Sequence, residues 1–105
     1  MIILVTGGAS GLGEAITRRL AAEPGHRVYF TYCKSEVNAK IIEADLPNAE
    51  SIKCDFRNEN DILSLQNQVA SLEIDVLINN AYPGSFIDTH FYKLSETRFD
   101  FRVFR

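Results

Sequence analysis

At 105 residues the chain has room for one small domain with a single core, burying roughly two-thirds of the surface that its unfolded form exposes. With 46% hydrophobic and 24% charged residues it reads as a soluble globular chain rather than a disordered one. Eleven basic residues against 14 acidic ones, a net charge of -3, give no basic stripe for nucleic acid, so any phosphate must be held by local geometry.

Ile2 to Val5 is a continuous apolar run running straight into Thr6-Gly7, which predicts a strand covered on both faces and not a signal peptide. From Leu12 the period changes: Leu12, Ala15, Ile16 and Leu20 share one helical face, Glu14, Arg18 and Arg19 point outward, and Pro24-Gly25 ends the helix. Val28 to Tyr32 predicts a second strand, Ser35 to about Leu46 a second helix closed by Pro47-Asn48, and Ser51 to Cys54 a short third strand. Asn58 is placed to cap a third helix, with Asp61 in its first turn and Ile62, Leu65, Val69 and Leu72 on its core face. Ile74 to Ile78 predicts a fourth strand; Asn79 to about Lys93 reads as a loop, and a further helix begins near Leu94. This β-α-β-α-β-α-β order implies a parallel sheet with right-handed crossovers, helices on both faces and strand order 3-2-1-4. Ligands then bind where the chain reverses direction, between strands 1 and 4.

Cys33 and Cys54 show no C-x-x-C or paired-ligand spacing, so the expectation is two partly buried thiols in a reducing compartment, with no metal and no disulfide. No segment approaches the ~20 apolar residues of a membrane helix, which makes the cytoplasm the expected location.

Between strand 1 and its helix lies Thr6-Gly7-Gly8-Ala9-Ser10-Gly11-Leu12-Gly13. Glycine admits positive φ and close approach of the backbone to a ligand, and the helix start offers unpaired N–H groups to a pyrophosphate. A bare glycine pattern is weak; this one follows a strand and opens an amphipathic helix. A P-loop is excluded, because no Lys-Ser or Lys-Thr follows the glycines. Its T-G-x-x-x-G-x-G spacing resembles the short-chain dehydrogenase/reductase family, particularly the 3-oxoacyl-carrier-protein reductase-like branch. Two later features agree with that resemblance. Asp55-Phe56 follows strand 3, where the family's carboxylate accepts from the adenine amino group and its apolar neighbour packs on the ring; alone, Asp55 would read as a strand-end cap. Asn79-Asn80-Ala81 follows strand 4, where the family has N-N-A-G and its asparagines are implied to steady the sheet and line the cofactor's ribose. Tyr82 stands where that pattern has glycine, with Pro83-Gly84 after it. The resemblance implies the N-terminal half of a doubly wound Rossmann fold, with residues 1–105 as its dinucleotide-binding domain and the catalytic C-terminal half absent.

An acid at the end of strand 2 would bind the ribose 2′-hydroxyl of NAD and repel the 2′-phosphate of NADP. Tyr32 occupies that position, and Lys34 and Ser35 offer a charge and a hydroxyl, so NADP is the expected cofactor over NAD. The basic residue that many NADP-using members carry in the glycine loop is Ser10 here, and Lys34 reads equally as a solvated loop lysine.

In the family a tyrosine, with a lysine four residues on beside it, handles the proton at the carbonyl oxygen. No tyrosine here has that lysine: Tyr29, Tyr32, Tyr82 and Tyr92 are followed by Cys33, Glu36, Phe86 and Glu96. Phe99 to Phe104 resembles the start of the helix that should carry the family's asparagine. His26 and His90 read as polar surface, so no catalytic residue is assigned. The resemblance thus implies the NADP(H)-binding part of an oxidoreductase acting on a carbonyl or alcohol, homo-oligomeric at full length, with this chain alone inactive. The competing reading is a non-catalytic dinucleotide-binding or assembly module complete at this length. An S-adenosylmethionine methyltransferase would want an acid where Tyr32 stands. A chain ending here would leave strand 4 with a bare apolar edge, which predicts marginal stability and self-association.

Overall fold

Ile2–Val5 forms the middle strand, β1, of a parallel sheet in a computed structural model that describes residues 1–81 and the strand at 102–104. It pairs on one side with β2 (Arg27–Tyr32), which pairs with β3 (Ala49–Lys53), and on the other with β4 (Val76–Ile78). The expected order 3-2-1-4 is therefore present. Beyond β4 lies β5 (Arg102–Phe104), parallel to it in the register Val76 with Arg102 and Ile78 with Phe104.

That last strand corrects two expectations. Arg102–Phe104 is extended rather than the start of a helix, and the edge of β4 is paired rather than bare. An unpaired strand edge is a strong template, and the Phe-rich segment around Val103 has the composition that suits a pleated surface. Tyr82, Pro83, Gly84, His90, Tyr92 and the helix expected from Leu94 lie outside the described residues.

Among the described residues three helices cross over between the strands: α1 (Gly11–Ala21), α2 (Glu36–Asp45) and α3 (Glu59–Ala70). The alternation of β1 divides the core. Ile3 and Val5 join Val28, Phe30, Ala39 and Ile42 under α1 and α2, while Leu4 joins Ile52, Leu77 and the α3 residues Ile62, Leu65 and Val69 on the other face. Phe30, fully buried, contributes on the order of 1.5–3 kcal/mol by leaving water. The α3 face is the one expected, with Leu72 partly buried at its end.

Helix α1 differs from expectation. Leu12 is 71% exposed and Ala15 is exposed, and the face against the sheet is Gly13, Thr17 and Ala21, flanked by Ile16 and Leu20. Small residues let this helix approach the strands more closely than a leucine stripe would. Arg18 ties α1 to α2 by pairing with Glu14 at 2.8 Å and Asp45 at 2.9 Å. His26, expected to be solvated, is half-buried, and its Nδ1 donates to the Leu20 carbonyl near the end of α1 at 2.9 Å.

Candidate cofactor site

The carboxyl ends of β1 to β4 converge on a cavity of about 410 Å3. It lies where ligands bind in open α/β sheets: the chain goes from β1 outward to β2 and β3, then returns to the other side of β1 for β4.

Thr6 ties the end of β1 to the end of β4. Its fully buried hydroxyl donates to the Ile78 carbonyl at 3.3 Å and accepts from the backbone N–H of Asn80 at 3.0 Å and of Ala81 at 3.1 Å. The Asn80 side-chain amide in turn donates to the Gly7 carbonyl at 3.1 Å. The glycine turn and the Asn79-Asn80-Ala81 turn are thus one hydrogen-bonded unit, although they stand at opposite ends of the described sequence. Gly7 has φ +66° and lies so close to Ala81 that an added Cβ would sit 3.1 Å from the Ala81 Cα. At Gly13 an added Cβ would overlap the Gly7 carbonyl and the Asn80 amide nitrogen. Those two positions require glycine for different reasons, handedness and proximity.

On its other side the loop is held by β2 and α2. Thr31 accepts from Gly7 N–H through its hydroxyl and from Gly8 N–H through its carbonyl, both at 2.9 Å. Asn38 donates to the Ala9 carbonyl and, at 2.6 Å, to Glu14. Glu14 is held below the usual carboxylate range by its hydrogen bond to Arg18 first and to Asn38 second. Ser10 is the N-cap of α1, yet its side chain makes no capping bond. The first-turn N–H groups at Gly11, Leu12 and Gly13 have no partner within the helix, and that turn carries the positive end of the dipole.

Of the residues singled out in the sequence, Gly7, Ser10, Tyr32, Lys34 and Ser35 line the cavity, as do Asp55, Phe56, Asn80 and Ala81. The others support it or flank it. Thr6, Gly8 and Ala9 are buried beneath the loop, Gly13 packs the helix on the turn, and Gly11 and Leu12 are exposed at the helix start. Asn79 is half-buried, with its Oδ1 shielded and without a hydrogen-bond partner among the described residues. Tyr32 is 8% exposed and reaches Glu36 at 3.5 Å, so the end of β2 presents an aromatic wall in place of a carboxylate. Phe56 lines the cavity from within the α3 core.

The Asp55 carboxylate accepts at Oδ1 from the Arg57 backbone N–H at 2.9 Å and from Arg57 Nε at 3.2 Å. Those contacts, the backbone one first, hold its carboxyl below the usual range. Both sequence-based readings of Asp55 survive this geometry: it makes a strand-end turn at Oδ1, while Oδ2 has only a 3.5 Å contact to Arg57 Nη2. Sequence reasoning missed Thr31, Cys33, Cys54 and Arg57 in the lining, and Asn38 behind the loop. The Asp-x-Arg spacing was a signal for Arg57, since an Asx turn carries its third residue back over the carboxylate. Both cysteines are free, Cys33 half-buried and Cys54 buried. Among the described residues no helix is long and apolar enough to cross a membrane.

The sequence profile of the short chain dehydrogenases matches residues 1–103. The chain is 37% identical over 82 residues to the granaticin polyketide synthase putative ketoacyl reductase 2 of Streptomyces violaceoruber, covering 76% of this chain and 32% of that protein. It is 36% identical over 86 residues to the NADP-dependent 3-hydroxy acid dehydrogenase YdfG of Escherichia coli K12, covering 77% of this chain and 33% of that protein. Among solved structures, BdcA in complex with NADPH superposes with a TM-score of 0.68 at 29% identity, over 79% of this chain and 32% of that one. The chain therefore spans about a third of the length of the curated relatives it matches. With a matching profile over nearly its whole length, a parallel sheet in the expected order and a glycine turn locked to the Asn79-Asn80-Ala81 turn, this chain belongs to the short chain dehydrogenase family.

Proposed function

We propose that residues 1–105 are the dinucleotide-binding, partial Rossmann domain of a cytoplasmic oxidoreductase that uses NADP(H) to interconvert a carbonyl and an alcohol. The observation that carries this reading is the cavity itself. It joins an uncapped helix start at Ser10, a turn built on Gly7 and Asn80, and a β2 end that offers Lys34 and Ser35 but no acid. The nicotinamide, when bound, supplies or accepts the hydride. The chain's own residues hold and orient the cofactor. The N–H groups at Gly11, Leu12 and Gly13 receive the pyrophosphate; Asp55 accepts from the adenine amino group; Lys34 and Ser35 receive the 2′-phosphate; Asn80 and Ala81 flank the ribose at the nicotinamide end. Several relatives bear names that specify NADP, and one solved neighbour holds NADPH, which supports the choice of nucleotide.

Proton transfer is assigned to residues other than these 105, because no Tyr-x-x-x-Lys occurs among them. Calorimetric titration of the purified chain with NADPH and NADH tests the binding half of the proposal, and NADPH oxidation with carbonyl substrates tests the other. The expected result is saturable binding that favours NADPH, without turnover. Absence of nucleotide binding would overturn the assignment, and turnover by the chain alone would overturn the division of labour.

A further inference from the structure

Two cations line the cavity, and they come from adjacent strands. Lys34 follows β2 and Arg57 follows β3, and these strands are paired in parallel up to Tyr32 with Lys53. Among the described lining residues the only carboxylate is Asp55. It is bonded to Arg57 Nε at 3.2 Å and is close enough to Lys34 to feel its charge. This corner therefore carries a net positive charge of about one, fixed in place by a single carboxylate.

The Asp55–Arg57 contact is an orienting one. Oδ1 takes both the backbone N–H and Nε of Arg57, which sets the plane of the guanidinium. The Arg57 side chain remains 52% exposed. A guanidinium held along one edge keeps further donors in a planar fork that fits two oxygens of a phosphate, which an ammonium cannot match. The helix start at Ser10 supplies partial positive charge on another wall, whereas Lys34 and Arg57 concentrate full charge beside the adenine acceptor Asp55. An anion in this corner belongs to the adenosine end of the ligand, not to its pyrophosphate.

We infer that Arg57 determines specificity for a 2′-phosphorylated adenosine, clamping the phosphate together with Lys34 from across the β2–β3 corner while Asp55 positions the guanidinium. The inference rests on the dinucleotide reading above and adds a residue to it. Ser10 places a hydroxyl, not a charge, in the glycine loop, and Arg57 supplies the second cation from the turn after β3.

Dissociation constants for NADPH, NADH, adenosine 2′,5′-bisphosphate and adenosine 5′-monophosphate, measured on the purified protein and its variants, test this. Arg57→Ala should weaken both 2′-phosphorylated ligands by about tenfold or more and the other two by less than about twofold. Arg57→Lys, which keeps the charge but loses the fork, should fall between. Asp55→Asn should erode the preference for the 2′-phosphate as well as weakening all four ligands. Arg57→Lys and thermal melts guard against a folding defect in the alanine variant. An equal loss for all four ligands in Arg57→Ala would mean that the guanidinium stacks on adenine or serves the fold, and would overturn the inference alone. An unchanged preference would do the same. If the parent protein binds no nucleotide, the dinucleotide reading falls and this inference with it.

Discussion

Among the described residues three helices start on a polar residue, and they do not use it alike. At α3 the Asn58 side chain accepts from the N–H groups of Asn60 at 2.9 Å and Asp61 at 3.2 Å, closing the helix end. At α1 and α2 the N-cap residues are Ser10 and Ser35, and neither side chain makes a capping bond. Both of those serines line the cavity. Serine and asparagine are equally good caps in general, so the difference reflects place rather than residue type. Asn58 does not line the cavity, and there the first-turn donors are satisfied by the cap itself. Where the N-cap residue does line the cavity, as at Ser10 and Ser35, they are left for something else to accept.

The harshest test of the open end is Gly13→Ala. A Cβ there overlaps Gly7 and Asn80, the two partners that fuse the glycine turn to the β4 turn. The variant should lose NADPH binding and roughly 2–3 kcal/mol of stability, read from denaturant midpoints and a nucleotide titration. Gly25→Ala is its control. Nothing lies within 4 Å of a Cβ at Gly25, and a change within about 0.5 kcal/mol is expected. Tight NADPH binding by Gly13→Ala would show that the locked turn does not shape the site.

The next effect separates the two kinds of helix start. Asn58→Ala should cost about 1 kcal/mol in chemical denaturation and leave NADPH affinity unchanged. Ser10→Ala should move stability by less than about 0.5 kcal/mol, because no capping bond is lost. Equal costs at the two positions would erase the distinction between them.

Much of this was legible in the sequence, for reasons that individual residues show. Ile2–Val5, the Ile62-Leu65-Val69 stripe and the Asn58 cap announced themselves through periodicity and residue chemistry, because burial on two faces or one leaves a pattern. The packing face of α1 did not. Gly13, Thr17 and Ala21 carry little hydrophobic signal, so Leu12 and Ala15 were assigned inward although the close approach of helix to sheet turns them out. β5 was missed because its register depends on a partner edge that no local pattern encodes. At the site, the glycine loop and Asp55 were readable as motifs. Thr31, Asn38 and Arg57 were not, since their roles arise only when β2, α2 and the β3 turn meet.

Acid distinguishes the regions by a smaller amount. The Asn58 amide does not titrate, so the α3 cap is indifferent to pH, whereas the cavity wall is not. Asp55 is held below the usual carboxylate range by the Arg57 backbone N–H and guanidinium, and Glu14 by Arg18 and Asn38. A carboxyl with a depressed folded pKa stabilises the fold above its unfolded value of about 4 and loses that contribution as the pH falls through the folded value. Stability should therefore decline on acidification below roughly pH 4, and Asp55→Asn should flatten part of that limb while leaving the difference between about pH 6 and pH 8 unaltered. Thermal melts in buffers spanning that range measure it, and an unaltered acid limb in Asp55→Asn would count against the Arg57 contact in solution.

The finest distinction is between two thiols on the same wall. Cys54 is 2% exposed, and burial, with the carboxylates of Asp61 and Asp55 adding to it, pushes its thiol up to about 12. The thiolate is the form that reacts, so this thiol is protected by its protonation as well as by its burial. Cys33, one residue beyond β2, is half-buried. Iodoacetamide followed by mass spectrometry should modify Cys33 first and reach Cys54 only when the chain unfolds. Saturating NADPH should slow labelling of Cys33 several-fold, because Cys33 and Lys34 line the same cavity. Labelling of Cys33 at the same rate with and without bound nucleotide would place the adenosine end away from the β2–β3 corner, and with it the distinction drawn between open and closed helix starts would lose its functional meaning at α2.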